Sequence, residues 1–278
     1  MKEYEFEGIS HYRLPLCTEL AGVRLSLVMD NGKTYEVDFI SGSEVIWENS
    51  EDGYHRDEYQ CLKVEDGVYF VNLEISHSFE HAGLSLALDL DSGLVTCVHA
   101  SMEGRSGDSA LFVKTEVIFG AVAAEDGSVG YRRHRFSADL VGRAIEWTYA
   151  PNFKIIHTYP SERYYRPILV YYHDDRNEPV IRAMETPNPV LPWPVERESP
   201  TDWVKIREGI YLLNIIEIRH PELLEEPKKN CLTFVFDLKR MRNFGRAFGY
   251  TEGDHARENY VFTAFGRFVK MEDLKEED

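Results

Sequence analysis

Four residues in the second half of the chain, Trp147, Tyr149, His157 and Glu217, are of types that could do chemistry together. Trp147 and Tyr149 stand two apart, so on a strand they share one face. Glu217 follows Tyr211, Leu213 and Ile215 at the same interval, which sets its carboxyl on an otherwise apolar wall. Desolvation there raises a carboxyl pKa toward neutrality, as a general acid or base requires. The competing reading pairs Glu217 with Arg219, two residues on, and makes it structural. His157 reads either as a group that steadies developing charge or as a satisfied core histidine. Tyr149 either orients a substrate or rests its hydroxyl on a backbone carbonyl. The catalytic candidates are therefore Glu217, Tyr149 and His157. Trp147, Tyr159, Tyr211, Arg219, Phe234 and Phe236 are the candidate ligand-lining residues.

Other constellations are weaker. His77-x-x-x-His81 has helical metal spacing but falls where a strand runs into a loop, without carboxylate or cysteine partners. Gly104-Arg105-Ser106-Gly107-Asp108-Ser109 lacks the Gly-Lys-Ser/Thr ending of a phosphate loop. Neither a Gly-x-Ser-x-Gly elbow nor a Rossmann fingerprint occurs. No metal and no cofactor is expected.

The elements that must hold these residues are strands. Val23, Leu25, Leu27 and Met29 alternate with Arg24, Ser26 and Val28, and Asn31-Gly32 then signals a hairpin. Asp66-Gly67 and Ser92-Gly93 mark further turns, and no segment carries a long helical stripe. The pattern then repeats. Leu20-Ala21-Gly22 reads onto Leu140-Val141-Gly142, and Lys63–Leu73 reads onto Lys205–Ile215. Leu84–Leu90 reads onto Leu232–Leu238, and Phe119-Gly120 onto Phe265-Gly266. Each half has room for roughly eight strands, the number that closes a small up-and-down barrel. The expected fold is all-β, with two tandem antiparallel barrels. Residues 1–122 form the first, 123–139 a linker, and 140–278 the second. A proline-dense insertion at 166–200 reads as extended loop, either a lid or a strap. The basic run Arg132-Arg133-His134-Arg135 reads as a solvated linker or a salt-bridging strap.

The repeat permits an internal comparison. Leu27, Met29, Val37 and Ile75 of the first copy align with Trp147, Tyr149, His157 and Glu217 of the second. A barrel lined by the aliphatic set can simply be filled. One lined by the second set must satisfy buried donors and acceptors, at ~1–3 kcal/mol for each that fails.

The 278 residues suggest two domains, and 43% hydrophobic content supports a real core. A net charge of −17 repels phosphate backbones and anionic lipid headgroups, so neither nucleic acid nor membrane is an expected partner. The four cysteines form no C-x-x-C pair and read as free thiols. The sequence begins without a secretory-type signal and has no apolar run of ~18 residues, so a cytoplasmic location is expected. Homodimerisation stays open.

The chain resembles the MoaF family in Leu140-Val141-Gly142-Arg143, Trp147-Thr148-Tyr149-Ala150-Pro151, His157-Thr158-Tyr159, Lys205–Tyr211, Phe236-Asp237-Leu238 and Gly245–Tyr250. That resemblance implies two lipocalin-like (calycin-type) units. By the family's name it implies an accessory role in molybdenum cofactor biosynthesis or monoamine metabolism. The second half is also similar, more distantly, to the phenolic acid decarboxylases, which need no cofactor. Trp147-Thr148-Tyr149 stands where that family has Tyr-Thr-Tyr, and Glu217 falls at its acid–base glutamate. Trp147 lacks the first tyrosine's hydroxyl, and Arg197 is the candidate for the family's arginine. The expected function is binding of a small aromatic or hydrophobic molecule in the second barrel. The alternative is a cofactor-free lyase, hydratase or isomerase with Glu217 as acid or base. A third reading is an interaction protein with two filled barrels.

Overall fold

The computed structural model describes residues 11–49, 53–76, 78, 81–103, 112–151, 153–172, 179–180, 199–216, 230–250 and 257–271. Side chains of residues 168–172, 179–180 and 199 are not described. Glu217, Arg219, Arg197, His77 and the 104–109 loop, all singled out in the sequence, lie outside the described residues. No described helix is long and apolar enough to cross a membrane.

The first barrel contains β1 (Arg24–Met29), β2 (Thr34–Phe39), β3 (Glu44–Asn49), β4 (Gly53–Glu65), β5 (Val68–Ile75), β6 (Ala82–Asp89), β7 (Leu94–Glu103) and β8 (Phe112–Val122). Each strand pairs antiparallel with the next, and β8 closes on β1 through Leu27↔Val122 and Met29↔Gly120. The short turns follow their residue types. Gly32, Gly67 and Gly93 take positive φ, which a side chain would resist.

The second barrel contains β10 (Ala144–Ala150), β11 (Phe153–Thr158), β12 (Tyr164–Tyr172), β14 (Ser199–Arg207), β15 (Ile210–Ile215), β16 (Asn230–Asp237), β17 (Arg242–Tyr250) and β18 (Arg257–Val269). β12 and β14 close it through Tyr164↔Pro200 and Tyr165↔Ser199. Two-residue strands extend the sheet: β9 (Arg135–Phe136) beside β14, and β13 (Pro179–Val180) beside β12. The proline-dense insertion is thus not all loop. Pro167 sits within β12 opposite His157, and Pro200 within β14. At Pro167, β12 has a described neighbour on one side only, the edge position at which a residue without an N–H is tolerated.

The registers test the repeat residue by residue. Leu90 N–H bonds Gly67 O just as Leu238 N–H bonds Gly209 O, both at 2.8 Å. Gly22 N–H bonds Phe39 O, and Gly142 N–H bonds Tyr159 O. One sequence match needs correction. Leu94 pairs with Ala121, and its counterpart Arg242 pairs with Phe265. Gly120 therefore corresponds to Ala264, and Val122 to Gly266, two residues from the match read in the sequence. A shared Phe-Gly dipeptide on an alternating strand can slip by two without changing faces, which hid the offset.

Strands apolar on both faces mark where the barrels meet. Leu62, Val64, Val68, Phe70 and Val98 of the first pack with Val204, Ile206, Leu212, Phe244 and Val261 of the second. Arg246 is 1% exposed in this seam. Its guanidinium donates to Leu84 O (2.9 Å), Ser85 Oγ (3.1 Å), Leu73 O (2.9 Å) and Asn259 Oδ1 (3.0 Å). Gly83 leaves the room, since a Cβ there would lie 2.6 Å from the Arg246 guanidinium. The basic run is a strap: Arg133 bridges to Asp30 at 2.7 Å, and buried His134 meets Thr96 Oγ1 at 2.8 Å.

Candidate functional site

Both barrels share one plug. In the first, Glu19 takes Lys63 Nζ at 2.8 Å and the Tyr69 hydroxyl at 2.9 Å. In the second, Asp139 takes Lys205 Nζ at 2.8 Å and the Tyr211 hydroxyl at 2.8 Å. The equivalence follows from the alignment of Leu20 with Leu140 and Lys63 with Lys205. Tyr211, a candidate ligand-lining residue, therefore places its ring in the core and its hydroxyl on this clamp.

Beyond the plug the interiors diverge. The first is filled at mid-height by Leu27, Val37, Val71, Leu86 and Leu88. Its upper part is not aliphatic, contrary to the sequence expectation. Tyr35, Trp47, His55 and Asp57 alternate onto the inner face there. Trp47 and Asp57 belong to no segment match, so the comparison of aligned positions could not reveal them. Their polarity is internally answered. The Trp47 indole donates to Asp57 Oδ2 (2.8 Å), and the Ser76 amide donates to Oδ1 (3.1 Å), joined there by the Ser76 hydroxyl.

The second interior is a continuous layer of rings. Trp147 lies 4.7 Å from Phe236. His157 makes edge contacts with Tyr165 (5.3 Å) and Phe234 (5.7 Å) and tilts against Phe236 (6.1 Å). Trp203 stands edge-on to Tyr159 at 4.5 Å, and Tyr149 meets Phe262 at 5.6 Å. The alternation of β10, β11, β12, β14, β16 and β18 turns these inward, with Tyr159 just past the end of β11. Gly266 makes space for the indole: a Cβ there would collide with the Trp147 ring.

Four polar atoms in this layer have no hydrogen-bond partner among the described residues. They are Trp147 Nε1, His157 Nδ1, Tyr159 Oη and Asn243 Oδ1. The four residues are 0%, 2%, 1% and 0% exposed. Asn243 Nδ2 donates to the Tyr149 hydroxyl at 2.9 Å, which leaves its oxygen unanswered. Burial pushes the His157 imidazole down to about 3, so it is neutral at physiological pH. Burial also drives the Tyr159 phenol well above its usual range; the neighbouring Trp147 N–H pulls weakly the other way without meeting hydrogen-bond geometry. Among the described residues, charged inner-face groups sit at the ends instead: Lys205 with Asp139 at the plug, and Glu258 at the far end of β18, where Asn230 donates to it at 3.1 Å.

The structure thus brings together Trp147, Tyr149, His157, Tyr159, Phe234 and Phe236. Sequence reasoning missed Asn243 and Trp203. For Asn243 a signal existed. The Leu84–Leu90 match with Leu232–Leu238 continues without a gap through turns of equal length, so Asn243 replaces Val95. No group of three or more His, Cys, Asp or Glu among the described residues could hold a metal ion. A separate cleft of about 240 Å3 lies outside Trp203, lined by Phe136, Ser137, Ala138, Glu162 and Arg163.

The fold and interior define a tandem eight-stranded β-barrel protein whose two barrels share a plug and differ in lining. The model of the MoaF N-terminal domain matches residues 6–104, across most of the first barrel. That match makes the first barrel similar to the N-terminal domain of the MoaF family. No curated protein matches the chain in sequence.

Proposed function

We propose that the second barrel binds a small aromatic molecule among Trp147, His157, Tyr159 and Asn243. One observation carries this reading: four buried polar atoms in the interior ring layer have no partner among the described residues, whereas Trp47 and Asp57 inside the first barrel answer each other. Each unanswered group costs ~1–3 kcal/mol, a burden most simply relieved when a ligand supplies the missing donors and acceptors. The ring layer suits a flat apolar body, and the few convergent polar atoms suit its orientation.

Binding is favoured over turnover because His157 is held neutral by its burial and so is a poor proton acceptor at neutral pH. Titration of phenol into the protein, followed by indole fluorescence, tests the reading. Saturable quenching is expected, with affinity reduced severalfold in Tyr159→Phe, which keeps the ring and removes only the hydroxyl. Quenching that is linear in phenol, or unchanged in Tyr159→Phe, would count against the site.

A further inference from the structure

We propose that the ligand class of the second barrel is an uncharged phenol or aromatic alcohol, and that carboxylate and ammonium forms of the same ring are rejected. This rests on the binding reading above and adds the charge and hydrogen-bonding pattern of the occupant.

The argument begins with what surrounds the unpartnered atoms. Their ring contacts, apart from that of His157 with Tyr159, are to Tyr165, Trp203, Phe234 and Phe236, none of which carries charge. The polar members offer no charge either. An indole N–H and an amide oxygen are permanently neutral. Burial keeps the imidazole unprotonated and the Tyr159 phenol un-ionised. An ion placed here would lose its hydration and gain no counter-charge from the ring layer, which is the costliest form of burial.

The same atoms set the complement that is wanted. Trp147 Nε1 only donates and Asn243 Oδ1 only accepts, while His157 Nδ1 and Tyr159 Oη can adapt. A hydroxyl serves such a set. Its oxygen accepts from the indole, and its proton goes to the imidazole or the amide oxygen. An aromatic body behind it stacks or packs edge-on against Phe234 and Phe236.

Among the described residues, the charged groups of the inner face are already committed. Lys205 and Asp139 neutralise one another in the plug, and Glu258 accepts from Asn230. A ligand tail reaching that far would meet Glu258, so a cation is the sharper challenge to the proposal.

Three probes that share one phenol ring test it on the full chain at pH 7: 4-ethylphenol, 4-hydroxyphenylacetate and tyramine. Calorimetric titration should show 4-ethylphenol binding at least tenfold more tightly than either ion, with Tyr159→Phe weakening it. If tyramine or the acid binds as tightly as 4-ethylphenol, neutrality is wrong while the barrel remains a binding site. If none of the three binds, both readings fall together.

Discussion

Glu65 and Arg207 hold the same place in the two repeats, yet they carry opposite charge and meet at 3.3 Å across the interface between the barrels. The difference lets two similar outer faces pack together. Two glutamates at this point would repel. Arg207 also clamps Asp89 with Nε at 2.8 Å and Nη2 at 2.5 Å, and reaches Asp91 at 2.9 Å.

Arg207→Ala should therefore be costly. The Asp89 side chain is 2% exposed and would be left buried without its cation. Breaking such a pair costs about 3–5 kcal/mol, readable as a shift in urea midpoint at pH 7. Burial works against Asp89 ionisation, but Arg207 and Ser92 outweigh it and hold the carboxyl below its ordinary value. Its stabilisation is thus fully present above the unfolded pKa of ~3.9 and is lost as pH falls through the lower folded value. The gap between wild type and variant should close below about pH 4.

His157 gives a second pH dependence, at a higher window. Its folded pKa of about 3 lies below the unfolded value of 6.5. The neutral form is favoured by folding, so its contribution is complete above that unfolded value and falls away as acid is added. Between pH 6.5 and pH 5 the loss from this group is roughly 2 kcal/mol. His134, also lowered by burial to about 4, adds to the same slope. His157→Phe should remove its share, flattening the pH profile of the denaturation midpoint while leaving that of His134. An unchanged slope would mean that His157 is not buried neutral.

The duplicated plug makes a paired prediction. Tyr69→Phe and Tyr211→Phe each delete one hydroxyl that donates to a carboxylate, at 2.9 and 2.8 Å. Each should lose on the order of 1–2 kcal/mol, as expected for a hydrogen bond to a charged group at a half-exposed site. The two losses should be similar in thermal unfolding. Tyr211→Phe should leave phenol affinity unchanged, because the hydroxyl faces Asp139 and not the unpartnered atoms. A severalfold fall in affinity would return Tyr211 to the ligand site.

Gly266→Ala tests the seat of Trp147. The added methyl collides with the indole, so either the ring tips or β18 moves. Overpacking of this kind costs about 1–3 kcal/mol. A lowered melting temperature together with an altered indole emission is the expected outcome. Gly120→Ala in the first barrel meets Met29 Sδ at 2.6 Å and also the Val28 backbone carbonyl at 2.7 Å, so flexibility of Met29 alone does not relieve it and a comparable loss is expected.

The sequence by itself determined the class of fold and the pairing of like with like. Two-residue alternation and Asn-Gly, Asp-Gly and Ser-Gly turns are local signals, and they specify antiparallel hairpins whatever the rest of the chain does. Because strand side chains alternate faces, aligned repeats also revealed that Trp147, Tyr149 and His157 replace Leu27, Met29 and Val37. What only the tertiary structure decided depends on atoms distant in sequence. The Tyr211 hydroxyl is spoken for because Asp139, 72 residues away, curls under the barrel. Asp57 is answered by Trp47 and Ser76, whereas polar atoms of Trp147, His157 and Tyr159 find no partner among the described residues, and no one-dimensional pattern records whether a donor finds its acceptor. Hydrogen-bond satisfaction is a property of closure, since it is set when strands far apart along the chain are brought around the same interior.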